Sequence, residues 1–392
     1  MRFSSAVALA VIAAFATPSE AHAIPAWARK YNMNCSGCHY PAPPRLNAAG
    51  IRFRWAGYRM PEEIGEAVTV TQISNYISAR GQVAFNYQKE TGQSAETAFD
   101  AEEATLFYGG PFGKNFTGWF EFEREEGGEF GLASQVGGVW GGEHSYRGFK
   151  VGMGHWLASV GIAGFDRMVG FSAPLPLEGP VTGGVPFQFS GDRSGAEVFW
   201  ATEHNRISAL VLDPIPGALG EMATRKDFAV TDQLILDKRG GGIMFAGYFG
   251  SQLGVDPSAP TVRSSYWRVA VSASRIFGNV EVLGGAVLAR DSDLPVGGTS
   301  PFASDQMKGS GYWASGQYFV PSSKMTFFGR YEFVDPNADV SADGMRRYVL
   351  GSVLPLTLPE YLHATVEYTL LKPQASGAPS TNGLAAGLWM AF

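Results

Sequence analysis

Cys35 and Cys38 are the only cysteines in the chain, they stand two residues apart, and His39 directly follows the second. Two thiols and an imidazole at this spacing can hold a c-type haem. Each thiol adds across a vinyl group, and the imidazole binds the iron axially. A plain disulfide, a redox dithiol and half a zinc site share the CxxC spacing. Zinc takes two further Cys or His ligands at metal spacing, and His22 and His39 are the only histidines before residue 144. Redox dithiols sit beside a βαβ pattern, which is missing here. The spacing therefore points to one covalently attached haem c, with Cys35 and Cys38 as attachment points and His39 as proximal ligand.

The opposite axial position needs a donor. Met60, after the turn-prone Ala56-Gly57-Tyr58, is the first candidate, because His/Met ligation raises the reduction potential. His363 is the alternative: it shares an alternation face with Glu367, while Leu362, Ala364 and Val366 take the other. Met33 is too near Cys35 to reach across a ring. His155 alternates in step with Val151, Met153 and Leu157, which predicts an outward or rim position.

Acidic side chains crowd one region: Glu90, Glu96, Asp100, Glu102, Glu103, Glu121, Glu123, Glu125, Glu126 and Glu129. Glu121 and Glu123 alternate with Phe120 and Phe122 and are expected to face inward. Hard carboxylate oxygens attract divalent cations such as Fe(II). The same groups could instead form a solvated rim that tunes channel selectivity, or hold a basic segment.

The elements that must position these groups begin with an export signal. Met1-Arg2, an apolar run from Ala6 to Ala16 and Ala21-His22-Ala23 are the parts of a signal peptide over residues 1–23, which would remove His22. No later apolar run is long enough for a membrane helix. Charged residues make up only 17% of the chain, against about 25% in ordinary soluble domains, and there are 50 glycines. That balance suits a membrane β-barrel. Residues 24–61 carry six basic side chains (Arg29, Lys30, Arg45, Arg52, Arg54, Arg59) and no acid, so the rest carries −12 of the chain's net −6. A basic module over 24–66 is expected to dock on an acidic one over 67–392. Export makes a nucleic-acid partner unsuitable.

From about residue 74 onward, alternating stretches are separated by turns. Ile77, Ala79, Gly81, Val83, Phe85 and Tyr87 share one face, opposite Ser78, Arg80, Gln82, Ala84, Asn86 and Gln88. Met325, Phe327, Gly329, Tyr331 and Phe333 repeat the device. Short links such as 113–115, 141–145 and 277–279 alternate with long ones such as 159–193, 252–263 and 334–345. Short periplasmic turns and long external loops give this rhythm. The fold class expected is all-β, a transmembrane antiparallel barrel of about 16 strands, wide enough for a lumen. The last stretch alternates from Leu384 to a terminal Phe392, as barrel-insertion signals do. A soluble sandwich would leave large apolar faces exposed.

Ile24-Pro25-Ala26-Trp27-Ala28-Arg29, Cys35–His39 and Pro44-Arg45-Leu46-Asn47 through Gly57-Tyr58 together resemble the fused monohaem cytochrome–porins, among them the outer-membrane iron-oxidising cytochromes. The resemblance covers about residues 24–61. It departs where this chain has Ala49-Gly50 in place of the usual Phe-Gly. It implies a haem segment on the periplasmic side of a Gram-negative outer-membrane barrel, or within its lumen. Electrons would pass from extracellular Fe(II), or another donor, to a periplasmic c-type cytochrome or similar acceptor. A diffusion porin with a haem-bearing tether or gate, and a peroxidase-like haem protein, are the competing functions.

Overall fold

The period-two alternation becomes sixteen antiparallel strands: β1 (Ile77–Glu90), β2 (Glu96–Pro111), β3 (Phe116–Arg124), β4 (Phe130–Gly142), β5 (Ser145–Gly154), β6 (Arg193–Thr202), β7 (Asn205–Leu212) and β8 (Asp227–Ile235) form the first half. The second half is β9 (Gly242–Leu253), β10 (Arg263–Phe277), β11 (Val280–Ser292), β12 (Met307–Val320), β13 (Met325–Asp335), β14 (Met345–Pro355), β15 (Leu362–Pro373) and β16 (Thr381–Ala391). The structure, a computed structural model, describes residues 26–40, 43–68, 74–124, 130–157, 169–214, 225–297, 300–357 and 362–391. The expected signal peptide, Glu125, Glu126, Glu129 and Phe392 lie outside the described residues, as do the side chains of Asp100, Glu102 and Glu103.

Each strand pairs with its sequence neighbours, and β1 pairs with β16, Arg80 opposite Ala391 and Glu90 opposite Thr381. Closure leaves no strand edge unpaired. The two faces follow the alternation: Ile77 and Val83 are exposed where Ser78 and Ala84 are buried. In β13, Phe327 is exposed between buried Thr326 and Phe328. Val198, Val230, Phe245, Leu288 and Leu350, all on the outside, are more than half exposed. An apolar outer band on a closed barrel is a lipid-facing surface, because the strands bond their backbone groups to neighbours within the wall. The chain is an outer-membrane β-barrel. No described helix is long and apolar enough to cross a membrane.

Ahead of the barrel, α1 (Ala26–Tyr31), a 3-10 turn at Cys35–Gly37, α2 (Ala48–Trp55) and a second 3-10 turn at Pro61–Glu63 make a short helical segment. It lies against the short-turn end of the barrel. Ala48 N–H donates to Lys238 O, the Tyr40 hydroxyl to Gly278 O, and Arg59 to Lys114 O and Phe116 O. Further in, Trp55 Nε1 donates to Gln233 Oε1 at 2.8 Å, and Ile51, Trp55 and Ala56 pack on Val139, Tyr146 and Phe199.

Arg45 is the anchor. Its guanidinium, 0% exposed, pairs with Glu281 of β11 at 2.9 Å and donates to Gly240 O at 2.8 Å and Ser274 Oγ at 3.2 Å. Gly240 has φ +91, and a Cβ there would stand 2.5 Å from Leu46 O, so the β8–β9 turn closes on the segment only as glycine. Arg45 and Glu281 thus supply a fully buried contact of the expected docking of basic module on acidic barrel. Arg29 and Arg59 donate to carbonyls, and Lys30 pairs inside the segment with Glu63 at 2.7 Å.

The link between β5 and β6 departs from the external loop expected of it. Its described residues fold into the lumen around α3 (Leu175–Glu178). Inward carboxylates of distant strands capture its backbone: Glu367 accepts from Phe171 N–H (2.8 Å), Glu332 from Leu175 N–H (2.6 Å) and Asp291 from Val185 N–H (2.8 Å). Leu177, Val181, Val185 and Phe187 are buried with Tyr248, Tyr266 and Trp313 of the wall. Polar loop backbone and an apolar loop face are both satisfied inside, which a solvent-exposed loop would not need.

Removing one partner of a fully buried ion pair costs about 3–5 kcal/mol, while replacing both with apolar residues is often near neutral. Arg45→Met is therefore expected to loosen the segment and speed proteolytic cleavage within residues 26–68 in detergent. Adding Glu281→Met should restore most of the protection.

Candidate functional site

The CxxCH turn is clamped by the residues that follow it. Cys38 N–H and His39 N–H both donate to Cys35 O, at 3.1 and 2.9 Å. Asn47 Nδ2 donates to Ser36 O and Gly37 O, its N–H donates to Cys38 O at 2.9 Å, and its Oδ1 caps α2 by accepting from Ala49 and Gly50. One asparagine therefore fixes both the turn and the helix start. A Cβ at Gly50 would lie 2.3 Å from Cys38 O, so α2 reaches the turn only through glycine. In Pro44-Arg45-Leu46-Asn47, Arg45 ties the segment to the wall, Leu46 enters the core beneath it, and Asn47 holds the cysteines.

Cys35, Cys38 and His39 line a cavity of about 250 Å³ between this segment and the barrel. No disulfide joins Cys35 and Cys38. Burial pushes the Cys38 thiol up to about 11, with Cys35 adding to the effect. Burial lowers His39 to about 4, which keeps the imidazole neutral at ordinary pH, the form that binds metal. Its Nδ1 lies 3.2 Å from Arg45 O. A ligating histidine gives that nitrogen's proton to a carbonyl or carboxylate and presents the other nitrogen to the metal.

One wall of the cavity is aromatic: Trp27 stacks on Tyr58 (centroids 5.7 Å), Tyr58 on Trp119 (4.9 Å), and Trp119 on Phe107 (5.1 Å). Another is charged. Arg54, Arg80, Glu121 and Glu123 all line it, and Arg80 pairs with Glu121 at 3.0 Å. Phe120 and Phe122 are exposed on the outside, so the two glutamates take the inward face that their alternation predicts. Among the described residues no group of three or more His, Cys, Asp or Glu is arranged to hold a metal ion.

The other expected site residues lie elsewhere. Met60 opens the Pro61–Glu63 turn, its N–H shared by Tyr31 Oη and Glu63 Oε2, and it does not line the cavity. His363 points inward, 2% exposed and edge-on to Trp389 at 5.4 Å. It lines a smaller space of about 60 Å³ that shares Pro43, Pro44, Arg80 and Trp389 with the larger cavity, and its charge adds to burial in lowering His39. His155 follows the last residue of β5, lines the larger cavity and stays 48% exposed, which fits the rim position its alternation allowed. The alternation of Val151 and Met153 holds to the end of β5 at Gly154 and stops there, so Leu157 beyond it is buried rather than outward.

No protein-family model matches the chain, and no curated protein matches it. Solved structures do. An anion-selective porin from Comamonas acidovorans aligns with a TM-score of 0.61 at 12% identity, over 81% of this chain and 98% of that one. A loop-deletion mutant of OmpT, an outer membrane protein of Vibrio cholerae, gives 0.56 at 11% identity, over 81% and 99%. The outer membrane channel DcaP of Acinetobacter baumannii gives 0.55 at 12% identity, over 81% and 96%. The barrel has the porin fold.

The thiolate is the reactive form of cysteine, so a raised pKa slows alkylation. In protein without haem, Cys38 is expected to react slowly with iodoacetamide at pH 7 and about tenfold faster per pH unit up to about 11. Gly50→Ala, which forces α2 off the turn, should raise the pH 7 rate. Peptide mapping of the labelled cysteine reads both.

Proposed function

We propose that the chain is a fused monohaem cytochrome–porin that carries electrons across the outer membrane, from extracellular Fe(II) to a periplasmic carrier. The observation that supports it is a CxxCH turn facing a cavity inside a lipid-embedded barrel. The residues fit a haem c. Two cysteines stand two residues apart, the proximal imidazole is neutral with Nδ1 occupied, and an aromatic wall flanks the turn. Such a group, when bound, supplies one-electron redox chemistry.

The chain's own residues set the conditions for it. Cys35 and Cys38 would hold the group covalently, each thiol adding its S–H across a vinyl double bond to give C–S and C–H without an oxidant. Trp27, Tyr58 and Trp119 exclude water from one side. Glu121 and Glu123 would attract a divalent cation from the lumen side, and Fe(II) there would pass one electron to the bound haem and leave as Fe(III). Arg45 and Trp55 hold the segment at the short-turn end, where a periplasmic acceptor can approach.

The second reading is a diffusion porin whose haem segment is a tether or gate. The porin fold favours it directly, since the structural similarity speaks for the barrel and not for the segment, and one similar protein is anion-selective. The inward-folded link and the plugging segment both narrow the lumen, which weighs against free diffusion. Two measurements on detergent-purified protein from a host competent in cytochrome maturation separate the readings. Electron transfer is expected to show haem bands that Fe(II) reduces anaerobically, with low conductance in planar bilayers. Large conductance of the intact chain, with haem that Fe(II) never reduces, would establish the porin instead.

A further inference from the structure

If His39 takes one axial position of the haem proposed above, a second donor decides whether the iron is closed. The inference rests on that haem reading. Outside the CxxCH turn, two described side chains with a sulfur or imidazole donor line the cavity, Met33 and His155. Met33 belongs to the attachment side. Its Sδ lies 3.9 Å from Cys38 Sγ, and a Cβ on Gly37 would come within 2.9 Å of it, so it packs on the turn itself.

His155 comes from the barrel wall at the end of β5. Its Nδ1 lies 3.2 Å from Asp192 Oδ1, with the two side chains 48% and 37% exposed, an arrangement in which the carboxylate orients the ring and leaves Nε2 for a metal. The neighbouring residues hold it in place. Trp156 Nε1 donates to Arg193 O at 2.7 Å, and Leu157 is 3% exposed in the core. His39 and His155 thus show the same pattern on one cavity, each with Nδ1 engaged by an oxygen.

We infer that His155 is the second axial ligand, oriented by Asp192. The ligation is then bis-imidazole, one ligand from the helical segment and one from the barrel. Three consequences follow. The iron is six-coordinate, which removes the open position that peroxidase chemistry needs. The reduction potential lies below that of a His/Met haem, because methionine ligation raises it. The haem also ties the segment to the wall, beyond what Arg45 does.

The test is the absorption and EPR spectrum of the oxidised holoprotein in detergent, with barrel integrity checked by heat-modifiable mobility. Wild type is expected to be low-spin, without the charge-transfer band of a methionine–iron bond. His155→Ala should become high-spin, and added imidazole should restore the low-spin spectrum. His155→Met should gain the methionine band and a higher potential, while Asp192→Asn shifts the potential and leaves the iron low-spin. Met60→Leu, Met33→Leu and His363→Gln should leave the spectrum unchanged. A coloured His155→Ala protein that stays low-spin, or loss of the low-spin state in one of those three variants, overturns the ligand assignment and leaves the haem reading standing. Wild type that carries no haem overturns both.

Discussion

Arg45 carries a full positive charge where no water reaches it, and the geometry of the site depends on how that charge is compensated. A buried guanidinium is tolerated only where ion pair and hydrogen bonds replace its hydration. Glu281, Ser274 and the Gly240 carbonyl do so from the barrel, and the Leu46 carbonyl from the segment. The Arg45 carbonyl in turn lies against Nδ1 of His39. One residue therefore couples the barrel wall, through its side chain, to the imidazole of the CxxCH motif, through its backbone.

Around that coupling the barrel is filled from two sides. The helical segment occupies the short-turn end, and the link after β5 lies along the wall formed by β10 to β15. The cavity that holds Cys35, Cys38 and His39 lies between the segment and the wall formed by β1 to β5 and β16. A wide barrel is an aqueous channel by default. Here its inner surface instead satisfies two inserted pieces of its own chain, and the space left is shaped by aromatic and charged groups rather than by bulk water.

Much of this was legible in the sequence because the code involved is local. Alternation needs only neighbours, so the faces of β1 and β13 and the count of strands could be read directly. The inward side of Glu121 and Glu123 followed from the same period. What escaped depends on contacts between residues far apart. Glu332 meets Leu175 across 157 positions, and no pattern near either residue announces that the link will fold inward. Met60 looked suitable by distance along the chain, but the Pro61–Glu63 turn sets it away from the cavity. The burial of Leu157 escaped because β5 ends at Gly154, so the alternation that placed Val151 and Met153 no longer governs the residues after it.

Proteolysis of the mature protein, made in a host that attaches haem to cytochromes, and mass measurement of the peptide spanning Cys35 to His39 test the central claim most directly. A peptide heavier by one haem joined through both cysteines is expected. A peptide with two unmodified thiols, or with Cys35 and Cys38 joined as a disulfide, would contradict it.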